Sequence, residues 1–229
     1  MGTIDEAKLA AARAAIAELP ESGVIGLGTG STAKLFIDAV GEWVARGRKY
    51  VGVPTSDASR KQATALGIPL LGDEGPWDIA VAVDGADEVS PALDLIKGGG
   101  GAQTREKIIN YAARKNVIVV DGSKLSPRLG DKWSVPVEVL EFAHGATARL
   151  LARHGEPVLR MAGPPNSGPR RTDANNLIYD LKTGPIADPA ALDLLLHAIP
   201  GVVETGLFIA RADVVLVARE SGVERLVRS

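Results

Sequence analysis

Hydrophobic positions in the first 121 residues recur with two periods. Helical spacing runs through 5–19, 31–46, 56–66 and 103–115, and short apolar runs at 23–27, 50–53, 68–71, 78–83, 92–96 and 117–121 read as strands. This alternation predicts a mostly parallel sheet flanked by helices. The 31–46 segment shows the logic: Phe36, Ala39, Val40, Trp43 and Val44 recur at helical spacing and leave Lys34, Asp38, Glu42 and Arg46 outside. Such a helix buries one face against the sheet.

From Trp133 the rhythm changes to strand 135–140, helix 142–154, strand 157–162, strand 177–182, helix 188–198 and strand 201–206. That β-α-β-β-α-β order is the split βαβ, ferredoxin-like unit. Gly163-Pro164-Pro165-Asn166-Ser167-Gly168-Pro169 is the expected loop between its central strands, because Pro and Gly at that density cannot continue a ladder. Ala212–Ala218 reads as a further buried strand, followed by a short helix from Ser221, both returning to the first sheet. The expected fold is α/β: a mostly parallel, doubly wound, Rossmann-like sheet with an inserted, smaller ferredoxin-like α+β domain. The Rossmann-like domain is assigned to 1–130 and 207–229, and the ferredoxin-like domain to 131–206.

Composition narrows the chemistry. Twenty-six Lys+Arg against 28 Asp+Glu give a net charge of −2, with no basic excess for a nucleic-acid surface. The absence of cysteine excludes disulfides, thiolate metal sites and a cysteine nucleophile, and fits a reducing compartment. The first 20 residues scatter Asp5, Glu6, Lys8, Arg13 and Glu18 among alanines, an amphipathic helix unlike a signal peptide. No apolar run approaches the roughly 20 residues of a membrane span. The expectation is a cytoplasmic protein with neither nucleic acid nor membrane as partner.

Two polar stretches begin where apolar runs stop. Asp84-Gly85-Ala86-Asp87-Glu88 follows the 78–83 strand, and Lys97-Gly98-Gly99-Gly100-Gly101 follows 92–96. Ligands of open α/β sheets bind at that edge. The first stretch alone could be a polar turn or, as clustered carboxylates, a magnesium site; no histidine or further acid joins it nearby. The second is harder to dismiss, because consecutive glycines forfeit roughly 0.5–1 kcal/mol each relative to alanine in a regular element. Backbone amides lining an anionic intermediate, with Lys97 adding positive charge, give that run a purpose. Glu106, just beyond it at a helix start, is either a solvated glutamate favoured by the helix dipole or, beside these groups, a general base.

Gly26-Leu27-Gly28-Thr29-Gly30-Ser31-Thr32-Ala33 joins the first strand to a helix. It reads as a phosphate cradle of free amides with hydroxyls from Thr29, Ser31 and Thr32. The rivals are a plain turn with Ser31 or Thr32 as N-cap, and a dinucleotide fingerprint. The fingerprint lacks its acid, since the second strand ends at Val53-Pro54. Lys124, after Asp121 at another strand end, is a phosphate-binding cation or a surface lysine. His144, His154 and His197 share no metal-ligand spacing and read as packing or surface residues.

GLGTGSTA at 26–33, SDAS at 56–59, DGADE at 84–88, KGGGGA at 97–102, TREK at 104–107 and PGVVETGLF at 200–208 together resemble ribose-5-phosphate isomerase of the A type. The resemblance runs through nearly the whole chain in order. It implies interconversion of ribose 5-phosphate and ribulose 5-phosphate in the non-oxidative pentose phosphate pathway, through an enediolate. It further implies no metal or organic cofactor, a sugar phosphate as substrate, and a homodimer or larger homo-oligomer. Carried over by position, Thr29, Gly30, Ser31 and Thr32, Asp84, Gly85, Ala86 and Asp87, Lys97, Gly98, Gly99 and Gly100, and Lys124 match substrate-contacting segments. Glu106 matches the catalytic base and Lys8 a further phosphate contact. Lys97, Asp84 and Asp87 join Glu106 as catalytic candidates: Lys97 for the oxyanion, the aspartates for ring opening and hydroxyl binding.

Two departures stand out: Gly101 replaces an alanine common in the family, and Thr172-Asp173-Ala174-Asn175-Asn176 differs from the usual TDNGN. A sugar-phosphate-sensing module without chemistry is the alternative class. It would need neither Glu106 nor Lys97.

Overall fold

The structure, a computed structural model, describes residues 4–164 and 168–228. Residues 165–167 of the expected proline-rich loop lie outside the described residues. In chain order the elements are α1 (Ile4–Ile16), β1 (Gly23–Leu27), α2 (Ser31–Ala45), β2 (Tyr50–Pro54), α3 (Asp57–Ala65), β3 (Ile79–Asp84), β4 (Glu88–Val89), β5 (Leu95–Ile96), α4 (Gln103–Ala112) and β6 (Asn116–Asp121). They continue with β7 (Val135–Val139), α5 (His144–Leu151), β8 (Glu156–Leu159), β9 (Leu177–Lys182), α6 (Pro189–His197), β10 (Val202–Thr205), β11 (Leu207–Phe208), β12 (Val214–Arg219) and β13 (Gly222–Val227). Two compact units result: 1–86 with 105–124 and 210–229, and 87–104 with 125–209.

The first unit holds a six-stranded sheet in the order β13-β12-β6-β3-β1-β2, parallel except for the β12–β13 pair. Alternate strand residues explain its two-sided cover. On one face Ile25, Leu27, Val81, Val83, Val117, Val119, Val214 and Leu216 pack against Ala11, Ala12 and Ala15 of α1 and Phe36, Ile37 and Val40 of α2. On the other, Val53, Ile79 and Ala82 meet Ile109 of α4 and Ala113. Helices on both faces make the sheet doubly wound, as the apolar periodicity predicts. Strand order reverses between β1 and β3, so their carboxyl ends flank the switch point at which such sheets take ligands.

The second unit contains β7-α5-β8-β9-α6-β10 folded into an antiparallel sheet of order β10-β7-β9-β8, the ferredoxin-like arrangement. Its core gathers Val135, Val137, Val139, Leu151, Leu177, Leu181 and Leu196. A small antiparallel sheet, β11-β5-β4, stands beside it in the same unit.

Four sequence expectations need correction. Residues 92–96 do not join the parallel sheet: only Leu95 and Ile96 are strand, paired antiparallel with β4 and β11. The 68–71 strand reduces to a single bridge between Leu70 and Gly52, because Pro69 has no N–H to extend a ladder. The helix from Ser221 is instead β13, an exposed edge strand whose hydrogen bonds to β12 outweigh its polar composition. The 103–115 helix stops at Ala112, and Ala113 forms a bridge to Ile79.

Candidate active site

In the first unit the site is built around Asp84, the last residue of β3 and 8% exposed. Its Oδ1 accepts from the Thr29 N–H at 2.9 Å and the Gly85 N–H at 2.8 Å. The approach of β1 to β3 that allows this requires Gly28, because a Cβ there would lie 2.6 Å from the Asp84 Cα. Glu106, in the first turn of α4, is 5% exposed and lines a small cavity with Gly28, Thr55, Asp84, Asn110 and Asn116. Glu106 and Asp84 therefore line the same small cavity.

The helix that follows the glycine turn is not capped as expected of a plain turn. Gly30 is the N-cap of α2 at φ 110°, in the region that favours glycine, and no side chain caps the helix, so neither Ser31 nor Thr32 is the cap. Gly30 and Ser31 are exposed and Thr32 is buried. The Thr29 hydroxyl turns away from the helix end: it donates to Ser56 Oγ at 2.8 Å and shares a hydrogen bond with Thr55 at 2.7 Å. Ser56 in turn donates to Ser59, and Ser59 to the Gly28 carbonyl at 2.6 Å. The 56–59 motif thus braces the turn, a role its sequence did not disclose. Thr29 contributes its amide to Asp84 and its hydroxyl to this brace.

Lys8 and Lys124 come together around Asp121 at the end of β6. Lys8 Nζ lies 3.7 Å from the Asp121 carboxylate, and Lys124 closes the one-turn helix 122–124. Burial pushes the Asp121 carboxyl up. Bonds from Ser123 and the charges of Lys8 and Lys124 outweigh it and hold the group below its ordinary range. Two cations thus gather at a strand end of the same sheet.

The second unit carries the remaining candidates. Lys97 follows β5 and is 2% exposed; its amide donates to Gly206 and its ammonium sits 5.4 Å from the centre of the Phe208 ring. Asp87 accepts from the Gly99 N–H at 2.7 Å, so this amide faces an aspartate. Gly101 is at φ 82° and its N–H closes a turn onto the Gly98 carbonyl at 2.9 Å. Glycine suits that conformation.

Two buried carboxylates here have purely structural partners that sequence reasoning missed. Glu88 accepts from the Gly130 and Lys132 amides at 2.8 and 3.0 Å. Glu138 accepts from Thr104, from Thr172 at 2.9 Å and from the Asn176 amide at 2.8 Å. Thr172 and Asn176 are the ends of the divergent 172–176 loop, so its anchors are intact. Asn175 takes φ 65°, a conformation asparagine tolerates better than most residues.

His197 is an exposed residue, as the packing-or-surface reading allows, and both of its ring nitrogens have partners. It sits between Glu204, 2.7 Å from its Nε2, and Asp193, whose carbonyl is 2.8 Å from its Nδ1. Among the described residues these three form the one group whose ligand atoms could converge on a metal ion. The mutual hydrogen bonds, and the bond from Thr205 to Asp193, account for the cluster as an ion pair network. A larger cleft in the first unit, lined by Arg13, Trp43, Arg46, Arg48 and Tyr50, contains none of the acid–base residues above.

Fold and site together define an α/β protein with a glycine turn and paired carboxyl groups at the switch point of a parallel sheet. Residues 51–222 match the family model described as ribose 5-phosphate isomerase A (phosphoriboisomerase A). The ribose-5-phosphate isomerase A of Thermosynechococcus vestitus is 46% identical over 217 residues, covering 93% of this chain and 92% of its own. That of Thermococcus kodakarensis is 43% identical, covering 98% and 99%. A solved D-ribose-5-phosphate isomerase in complex with phospho-erythronic acid superposes with a TM-score of 0.95 at 43% identity, covering 99% of this chain and all of the other. The structure from Methanocaldococcus jannaschii gives 0.92 at 41% identity, covering 98% and 100%. The chain belongs to the ribose 5-phosphate isomerase A family.

Proposed function

We propose that the chain interconverts D-ribose 5-phosphate and D-ribulose 5-phosphate by proton transfer through an enediolate, in the non-oxidative branch of the pentose phosphate pathway. The placement of Glu106 and Asp84 in one cavity beside the Gly28 turn carries this reading. Glu106 is the base: it takes the C2 proton of the open-chain aldose, the electron pair forms the C1–C2 double bond, and the carbonyl oxygen becomes the enediolate oxygen. Its conjugate acid returns the proton to C1, and the C2 hydroxyl proton passes to the C1 oxygen, leaving a C1 alcohol and the C2 ketone. Nothing is oxidised or reduced overall.

Lys97 and the glycine-loop amides stabilise the negative oxygen. Asp84 and Asp87 assist opening of the furanose ring and hold hydroxyls. The Gly30–Thr32 helix start, Lys124 and Lys8 bind the phosphate, which keeps the reacting carbons in place. No metal or organic cofactor enters this scheme. A coupled assay on ribose 5-phosphate tests it directly: turnover that survives EDTA is the expected result. Loss on chelation with recovery on adding magnesium would instead favour a metal at the clustered carboxylates.

The same reading makes the protein a cytoplasmic homodimer or larger homo-oligomer. In support, Phe142 is 90% exposed and Leu194 74% exposed, apolar area of the sort that subunit contacts cover. Among the described residues no helix is long and apolar enough to cross a membrane. Light scattering that returned a monomer at working concentration would remove the oligomer from the proposal.

A further inference from the structure

The carbonyls of the glycine loop are gripped by two arginines of the second unit. Arg160, just after β8, donates from Nη1 to the Gly98 carbonyl at 2.8 Å and to the Gly99 carbonyl at 3.2 Å. Arg170 donates to the Gly100 carbonyl at 2.8 Å. The Arg160 fork is itself fixed, since Nε and Nη2 form a two-point bond to the Asp180 carboxylate of β9, and its side chain is 13% exposed.

Peptide planarity turns this grip into an orientation. In a trans peptide each carbonyl points opposite to the N–H of the next residue, so holding the Gly98, Gly99 and Gly100 carbonyls sets the Gly99, Gly100 and Gly101 N–H groups. Two of those have partners: Gly99 donates to Asp87 and Gly101 to the Gly98 carbonyl. Among the described residues the Gly100 N–H has no acceptor, and Gly100 is exposed. A run of glycines has little conformational preference of its own, so an outside clamp must supply it. A guanidinium on the Gly99 carbonyl also polarises the peptide and strengthens its N–H as a donor.

We propose that Arg160, locked by Asp180, is a positioning residue that fixes the direction of the Gly100 N–H, the oxyanion donor of the glycine loop. This rests on the glycine loop being the oxyanion element assigned above. Arg160 acts through the backbone and makes no contact with substrate.

The test uses Arg160→Met, Arg160→Lys and Asp180→Asn in the full chain, with turnover of ribose 5-phosphate and inhibition by phospho-erythronate and by inorganic phosphate. Misdirecting one oxyanion donor should lower kcat by about 10–100-fold in Arg160→Met. KM should stay within about threefold, since ground-state binding is untouched. Phospho-erythronate, whose planar carboxylate resembles the enediolate, should weaken, and inorganic phosphate should not. Lysine should recover little of the loss, because a single ammonium cannot span Asp180 and two carbonyls. Asp180→Asn should fall between wild type and Arg160→Met.

A kcat in Arg160→Met within about twofold of wild type would overturn the assignment. So would equal weakening of both inhibitors, or full rescue by lysine. If Arg160→Met does not fold, Arg160→Lys and Asp180→Asn carry the same comparison. An inactive wild-type chain, or a fully active Glu106→Gln, would sink the isomerase reading itself. A normal Arg160→Met beside an active wild type and an inactive Glu106→Gln would sink only the role of Arg160.

Discussion

His197→Gln should change how stability depends on pH. The imidazole is bonded first by Asp193, on its own helix, and then by Glu204 of β10; these contacts outweigh burial and push its pKa from 6.5 up to about 10. A group raised in this way favours the folded state fully below its unfolded pKa of 6.5, and the contribution is lost as pH rises through about 10. Without screening the separation would be worth about 5 kcal/mol, but the side chain is about a third exposed, which leaves roughly 1–2 kcal/mol. For a chain of this size that is about 2–8 °C in melting temperature. Glutamine keeps the length and polarity without the charge, and Glu204 retains its bond from the Thr205 amide. Thermal melts of wild type and variant at about pH 6 and about pH 10 should show the variant less stable at the lower pH, with the gap closing at the higher. A gap of the same size at both values would mean that the imidazolium does not bind these carboxylates as described.

Glu18 should act in the opposite direction. Bonds from Arg225 and Lys115 hold its pKa down to about 2 against the opposing effect of burial, so its contribution is present above 4.5 and is lost as pH falls toward 2. Acid titration of wild type against Glu18→Gln should show the stability gap shrinking over that range; a constant gap would contradict it. Gly28→Ala pushes a methyl group into Asp84. It should cost about 1–3 kcal/mol in denaturant melts together with most of the turnover, and a variant with normal stability and rate would show that the β1–β3 approach is not needed.

The fold was legible in the chain wherever apolar periodicity is strong. The parallel strands β1, β2, β3, β6 and β12 are nearly uninterrupted apolar runs, and the β-α-β-β-α-β order of the second unit follows from its alternating segments. Misreadings fall where tertiary pairing overrides local pattern. The segment from Ser221 was expected as a short helix, yet β13 is a strand held by its ladder with β12. The two-residue strands β4 and β11 are too short to carry a period.

For the site, the glycine turns and strand-end charges marked Asp84, Lys97 and Glu106 as candidates because polar chemistry and strand-end position coincide there. What stayed hidden were groups whose partners are distant in sequence. The Thr29–Ser56–Ser59 brace and the Arg160–Asp180 clamp on Gly98 and Gly99 join residues with no periodic or motif relation. The partners of His197 were missed for a simpler reason: Asp193 precedes it by one helical turn, an ordinary spacing, and Glu204 joins them only through the packing of β10 beside α6.

The most direct measurement is kcat of Glu106→Gln on ribose 5-phosphate, with circular dichroism and a thermal melt to confirm the fold. Loss of a positioned general base should reduce turnover by about 10²–10⁴-fold, or roughly 3–5 kcal/mol of barrier, while the melt stays near wild type. A folded variant turning over at close to the wild-type rate would show that Glu106 does not move the proton.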